Sequence, residues 1–151
     1  MRRANERDHD AVVAVQLAAY ARNRELLGVE PLPLMVDYHD VLRDKQVWLA
    51  LAPETFPEHV AGVLVLEPRA GDMMIESVAT HPIAQGQGLG RWLLAFAEDQ
   101  ARTHGLAIVR LYTGTILTHL VEWYGRHGYT VEGVEALSDR SRTNMMKLLS
   151  A

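Results

Sequence analysis

The sequence has no cysteine. Disulfide cross-links and thiolate catalysis are therefore excluded. Excess charge is also scarce. Fifteen Lys and Arg against 19 Asp and Glu leave a net charge of −4 and a pI near 5.9. Such a chain has no broad basic surface, which argues against nucleic acid or an anionic membrane as its main partner, although a local basic patch remains open. No apolar segment near the N-terminus reads as a signal or a membrane span, and there is no internal repeat, low-complexity tract or interdomain linker. The expectation is a soluble, cytoplasmic protein. The seven histidines include no pair spaced i, i+4 on a helix, so no metal site is expected. His81, His119 and His127 read as caps or surface residues. Asp8-His9-Asp10 reads as a first helical turn, where acidic residues meet the positive end of the helix dipole.

The chain does have apolar bulk. At 151 residues and 48% hydrophobic, it suits one domain, residues 1–151, with a substantial core. Its most informative stretch is 73–102. Residues 73–80 are apolar or β-branched apart from Glu76 and Ser77, and Pro82 stops the run, as expected of a buried strand. Glu76 is thus a carboxylate in an unusual place. From Leu89, the apolar residues Leu89, Trp92, Leu93, Phe96 and Ala97 recur at i, i+3, i+4, i+7 and i+8, which gives a helix one stripe to lay on a sheet. Between strand and helix lies Gln85-Gly86-Gln87-Gly88-Leu89-Gly90.

Three alternating glycines remove the Cβ atoms that would hold a ligand away, so backbone N–H groups at a helix start can converge on an anion. Pyrophosphate fits such a cradle; a glycine-rich turn without a ligand is the other reading. A dinucleotide fingerprint needs a small residue where Arg91 stands, and a P-loop needs Lys-Ser/Thr after its second glycine. Both fail on spacing. Gln85, Gly88 and Gly90 instead fill a Gln/Arg-x-x-Gly-x-Gly/Ala pattern, and here the sequence resembles the GNAT superfamily of acetyl-CoA-dependent N-acyltransferases. The resemblance implies that this loop, Gly86, Gln87 and Arg91 included, holds the pyrophosphate of coenzyme A.

A second segment, Leu120-Val121-Glu122-Trp123-Tyr124-Gly125-Arg126-His127-Gly128-Tyr129, resembles the family's tyrosine four residues before a Gly-aromatic pair. Tyr124 falls at the family's general-acid position. By residue type alone it is a tyrosine on the apolar face of a short helix, its hydroxyl tied to a carbonyl. Many family members carry an asparagine early in this helix where the present chain reads Leu117-Thr118-His119, so Thr118 stands in for that cofactor contact. The resemblance also implies that the backbone of Val78, Ala79 and Thr80 pairs with pantetheine like an added strand, which requires the sheet to splay there. Amine acylation needs a base, because free alkylamines have a pKa near ~10. Glu76 is the candidate, directly or through water; the other reading has it facing solvent or paired with an arginine.

Element order reads as follows. The resemblance makes 1–4 a first strand, and Asn5 with Asp8 marks a helix start. Val13, Leu17, Tyr20, Arg24 and Leu27 share one side of that helix, which ends by Gly28. Residues 28–33 are irregular and 37–44 form a short helix; Glu30, Asp37, Tyr38 and His39 stand where the family's acceptor site lies. Residues 47–52 and 60–67 form a hairpin across 53–59, followed antiparallel by 73–80. Residues 107–112 form a buried strand reached by a parallel crossover, 118–127 a helix closed by Gly128, and 130–135 with 144–149 a closing hairpin. The expected fold is α/β (α+β) and GNAT-like, a mixed sheet of six or seven strands with four helices on both faces. The expected activity is transfer of acetyl from acetyl-CoA to a primary amine of a small molecule or peptide, and a homodimer is compatible with it. A CoA-binding sensor or interaction module without turnover, and a scaffold independent of CoA, are the competing readings.

Overall fold

The computed structural model describes residues 1–52 and 60–150. The turn expected over 53–59 lies outside them. Among the described residues there are seven strands, β1 (Arg2–Arg3), β2 (Gln46–Leu51), β3 (Val60–Pro68), β4 (Met73–Thr80), β5 (Ile108–Gly114), β6 (Thr130–Ala136) and β7 (Ser141–Leu148). Four α-helices accompany them, α1 (His9–Leu27), α2 (Tyr38–Asp44), α3 (Leu89–Thr103) and α4 (Thr118–Arg126). The strands form one mixed sheet in the order β1-β2-β3-β4-β5-β7-β6, antiparallel except for the β4–β5 pair.

Both faces of the sheet are covered, and the side-chain alternation of the strands sorts them. Val47, Leu49, Val63 and Val65 pack with Val12 and Val15 of α1 and Val41 of α2. Their neighbours Leu64 and Leu66 point the other way, to Leu93, Leu94, Ala97 and Ala101 of α3 and, less deeply, to Val121 and Trp123 of α4. β3 is buried from Val60 to Leu66 for this reason, as a central strand with helices on both sides must be.

In β4 the alternation changes face part-way. Val65 pairs with Ser77 and Leu66 with Ile75, leaving Glu76 unpaired as a β-bulge. Met73 and Ile75 consequently face α3, whereas Ala79 faces α1, since a one-residue insertion reverses every later side chain.

Two expectations need correction. The apolar side assigned to α1 is rotated: Val12, Val15 and Gln16 are its buried residues and Leu17 is 48% exposed. The inward face includes the polar Gln16, whose Nε2 donates to Tyr38 Oη at 2.8 Å and Ser77 Oγ at 3.0 Å. A periodicity of apolar residues passes over a buried amide of this kind. Likewise β7 begins at Ser141 rather than Asn144, because Leu137 N–H donates to Arg140 O (2.7 Å) and closes a tighter turn. The polar residues after it are drawn into the ladder by partners on both sides, Thr143 facing Thr113 and Val134.

The punctuation reads as expected. Asn5 and Asp8 form a capping box, Gly28 ends α1 at φ 71°, and Gly128 follows α4 at φ 94°, where the Tyr129 N–H donates to Tyr124 O at 3.1 Å. At the closed end of β4, Asp72 accepts from Arg69 Nε and Arg110 Nη1, both at 2.5 Å, and Arg110 also pairs with Glu132 at 2.9 Å.

Candidate active site

The parallel β4–β5 pairing runs only from Met73↔Val109 to Ile75↔Leu111. Beyond it β4 stays with β3 as far as Thr80, while Tyr112, Thr113 and Gly114 go with β7. The strands thus part at Glu76, and backbone groups of 76–80 that face away from β3 lose their ladder partners. Such groups need others. The opening is a cleft of about 1110 Å³ bordered on one side by Glu76, Val78, Ala79 and Thr80 and on the other by Tyr112 and Tyr124.

The loop at the cleft's end is tied back to β4 and leaves its backbone amides open. The Gln85 side chain donates to Thr80 O at 3.4 Å, tying the loop back to β4. Gly86 and Gly88 take φ 82° and 79°, a conformation that costs other L-residues roughly 1–2 kcal/mol. The N–H groups of 86–91 donate to no group among the described residues, so six amides remain free beside the first turn of α3. Gly90 needs only to be small: a Cβ there would sit 3.5 Å from the Trp123 ring, an ordinary contact. Arg22, Arg91 and Arg126 also border the cleft, and none forms an ion pair among the described residues, unlike Arg24, Arg110 or Arg142. Of the loop and helix residues named from the sequence, Gln85, Gly86, Gly88, Gly90 and Arg91 border the cleft. Gln87 lines a neighbouring cavity of about 530 Å³, and Thr118, exposed at the start of α4, borders neither.

Glu76 lies beside an ammonium rather than a guanidinium. Its Oε1 is 2.8 Å from Lys45 Nζ, and that nitrogen also lies 3.5 Å from Glu67. Burial works against the Lys45 charge, but the Glu76 hydrogen bond and the charges of Glu76 and Glu67 outweigh it, so the ammonium is held above its ordinary value. Lys45 carried no signal in the sequence, since its partner lies 31 positions away.

Tyr124 packs edge-on against Trp123 and Tyr129, with ring centroids 5.1 and 6.0 Å away. Its hydroxyl has no hydrogen-bond partner among the described residues, so it is not tied to a carbonyl. Burial pushes its pKa up to about 12. Tyr20 stands nearby on α1; burial raises its pKa strongly, against a hydrogen bond with Ser77 and aided by the Tyr124 and Tyr38 phenols. The Tyr20–Ser77 contact of 2.7 Å continues to Gln16 and Tyr38, so a buried polar chain joins α1, α2 and β4 behind the cleft. His119 and His127 border the cleft, and the His127 Nδ1 contacts Trp123 O at 2.7 Å. His81 caps a short turn, its Nδ1 accepting from Ile83 N–H at 3.3 Å. Glu30 pairs with Arg24 and Tyr38 donates to Pro33 O.

A splayed parallel pair, a loop with free amides and a tyrosine thus border one cleft. The family model described as "Acetyltransferase (GNAT) family" matches residues 15–129, and the chain belongs to that family. No curated protein matches it by sequence. Among solved structures it is similar to a PaiA N-acetyltransferase from Thermoplasma acidophilum in complex with coenzyme A, at TM-score 0.77 and 16% identity, covering 97% of this chain and 96% of that one. It is also similar to the ribosomal-protein-S18-alanine N-acetyltransferase from Escherichia coli, at TM-score 0.76 and 17% identity over 99% and 92% of the two chains. A nourseothricin acetyltransferase matches at TM-score 0.62 and 21% identity over 71% of this chain, which spans 66% of that relative. At such identities the likeness concerns the fold. No helix of the described residues is long and apolar enough to cross a membrane.

Proposed function

We propose that the protein is an N-acetyltransferase that moves acetyl from acetyl-CoA to a primary amine of a small molecule or peptide by direct attack in a ternary complex. The observation that carries this reading is that Glu76, the unpaired end of β4, the loop residues Gly86 and 88–91 with their free amides, and Tyr124 all border one cleft. Bound acetyl-CoA supplies an activated thioester. The amides of 86–91, with Arg91 beside them, hold its pyrophosphate, and the stretch Val78, Ala79 and Thr80, through its backbone groups that face away from β3, aligns the pantetheine and polarises the carbonyl.

The amine nitrogen then attacks the carbonyl carbon, the C–S bond breaks, and two protons need handling. Glu76, directly or through water, takes the one released by nitrogen, which requires Lys45 to swing aside. Tyr124 donates a hydrogen bond to the departing sulfur, which leaves as a thiolate and takes its proton from solvent. A phenol pushed up to about 12 is a weaker acid than a thiol near ~8.5, so complete transfer is uphill by roughly 3.5 pK units. Its contribution is therefore a hydrogen bond that strengthens as charge grows on sulfur, with a gain near the low end of the usual ~10²–10⁴-fold range.

The Lys45–Glu76 pair at 2.8 Å favours a second reading, a CoA-binding module in which Glu76 is structural. Screening small amines and peptide N-termini for CoA release, beside acetyl-CoA binding, separates the two. Turnover with at least one amine is expected, and Glu76→Gln is expected to slow it about tenfold and flatten the acidic limb of kcat/KM, with cofactor affinity unchanged. Binding without release across the panel would establish the module.

A further inference from the structure

The N-terminal ends of α1 and α2 meet on the face of the sheet that carries α1, and three potential ligands converge there. His9 is the first residue of α1, Asp37 caps α2 by accepting from His39 N–H at 2.8 Å, and His39 is the second residue of α2. The two imidazole rings stack with centroids 3.7 Å apart and planes 6° from parallel. One ligand atom from each of His9, Asp37 and His39 lies within 4.8 Å of the others. We propose that these three residues bind a divalent cation of the zinc type, Zn²⁺ itself being the ion tested below.

The carboxylates around the pair favour this assignment. His9 Nδ1 is 2.9 Å from Asp10 Oδ1, and His39 Nδ1 is 3.0 Å from Glu6 Oε2. A carboxylate on Nδ1 takes that nitrogen's proton in hydrogen bonding and leaves Nε2 as the lone-pair atom, which is how metal-bound histidines are usually oriented. Here both rings have that arrangement, side by side. Glu6, Asp10 and Asp37 have no Lys or Arg partner among the described residues, whereas the nearby Asp8 is paired with Arg2. Two helix starts would by themselves repel a cation; three carboxylates without basic partners outweigh them.

Two imidazoles and one carboxylate are a familiar zinc donor set that keeps a coordination position open. Metal–ligand bonds of about 2.0–2.1 Å require donor atoms about 3.4 Å apart in a tetrahedral site, and the rings must open from parallel to aim both lone pairs at one ion. The His39 side chain is 60% exposed and can turn without disturbing packing. The open position would adjoin a cavity of about 240 Å³ lined by His9, Asp37, Leu34 and Val36.

The ion would clip α1 to α2 and so brace the segment between them, whose Pro31 and Pro33 border the large cleft. It is independent of the transfer chemistry.

The test uses the full chain stripped with a chelator and titrated calorimetrically with Zn²⁺, and with Co²⁺ for its absorption spectrum. One ion per chain, a rise in melting temperature reversed by chelator, and Co²⁺ bands of a low-coordinate histidine site are expected. His9→Gln/His39→Gln, at a half-buried and an exposed position, should abolish all three while the ion-free melting temperature changes by only a few degrees. Glu6→Gln should weaken binding by about ten- to a hundredfold through the orientation of His39. Unchanged Zn²⁺ binding in the double variant, or no uptake and a spectrum of hydrated Co²⁺ with wild type, would overturn the proposal.

Discussion

The two halves of β4 behave in opposite ways. From Met73 to Ile75 the strand is paired on both sides and its root is held by the Asp72 carboxylate between Arg69 and Arg110. From Glu76 onward it keeps one neighbour and faces a cleft on the other side. The half with satisfied groups supplies rigidity. The other supplies unsatisfied ones, free amides, unpaired guanidinium groups and a free phenol, which are costly to a fold and useful to a ligand. Changes at the mouth should therefore alter binding or turnover with little change in stability, and changes at the root should do the reverse.

The largest effect is expected from Gly88→Asp, which places a carboxylate among the free amides at a position of φ 79°. Acetyl-CoA affinity should fall at least several hundredfold by calorimetry while the melting temperature changes by only a few degrees, because nothing lies within 4 Å of the added Cβ. Wild-type affinity in the folded variant would remove the loop from the cofactor site.

Next comes Tyr124→Phe. The ring contacts with Trp123 and Tyr129 survive, and the hydroxyl has no partner to lose among the described residues. We expect kcat to drop about a hundredfold with the acetyl-CoA dissociation constant unchanged. A loss within about threefold, roughly 0.65 kcal/mol of barrier, would make the tyrosine a packing residue.

The smallest effect belongs to the root. The hydrogen bond from Arg69, joined by that from Arg110 and opposed by desolvation, lowers the Asp72 pKa to about 2 from 3.8. A carboxyl whose folded value is depressed stabilises the fold above the unfolded value and loses that contribution as pH falls through the folded one. Stability of about 2 kcal/mol should thus be complete above pH 4 and disappear toward pH 2, since one pK unit is worth about 1.4 kcal/mol. Asp72→Asn should lower the melting temperature at pH 7 by about 4–8 °C, and the difference from wild type should shrink in acid. Acetyl-CoA affinity at neutral pH should be retained; a loss comparable to that of Gly88→Asp would mean root and mouth are not separable.

The glycine loop and the ending of α4 were far more legible than the surroundings of Glu76, for a reason of distance along the chain. The loop of 85–91 and the α4 ending at Gly128 are local devices, in which glycine conformation and helix capping act within a few residues. The partners of Glu76 and Ser77 are Lys45, Gln16 and Tyr20, which lie 31, 61 and 57 positions away. The rotation of α1 was misread because its inward face includes Gln16, fully buried and held by Tyr38 and Ser77, with its Oε1 unpartnered among the described residues.

What the sequence determined by itself was the element order, the strand–loop–helix of 73–103 and the chain's place in its family, because periodicity, glycine and proline act locally. Only the tertiary structure decided the bulge at Glu76, the parting of β4 from β5, the Lys45–Glu76 pair and the meeting of His9 with His39. Each of these depends on where the chain returns in space, which side-chain pattern along one segment does not encode.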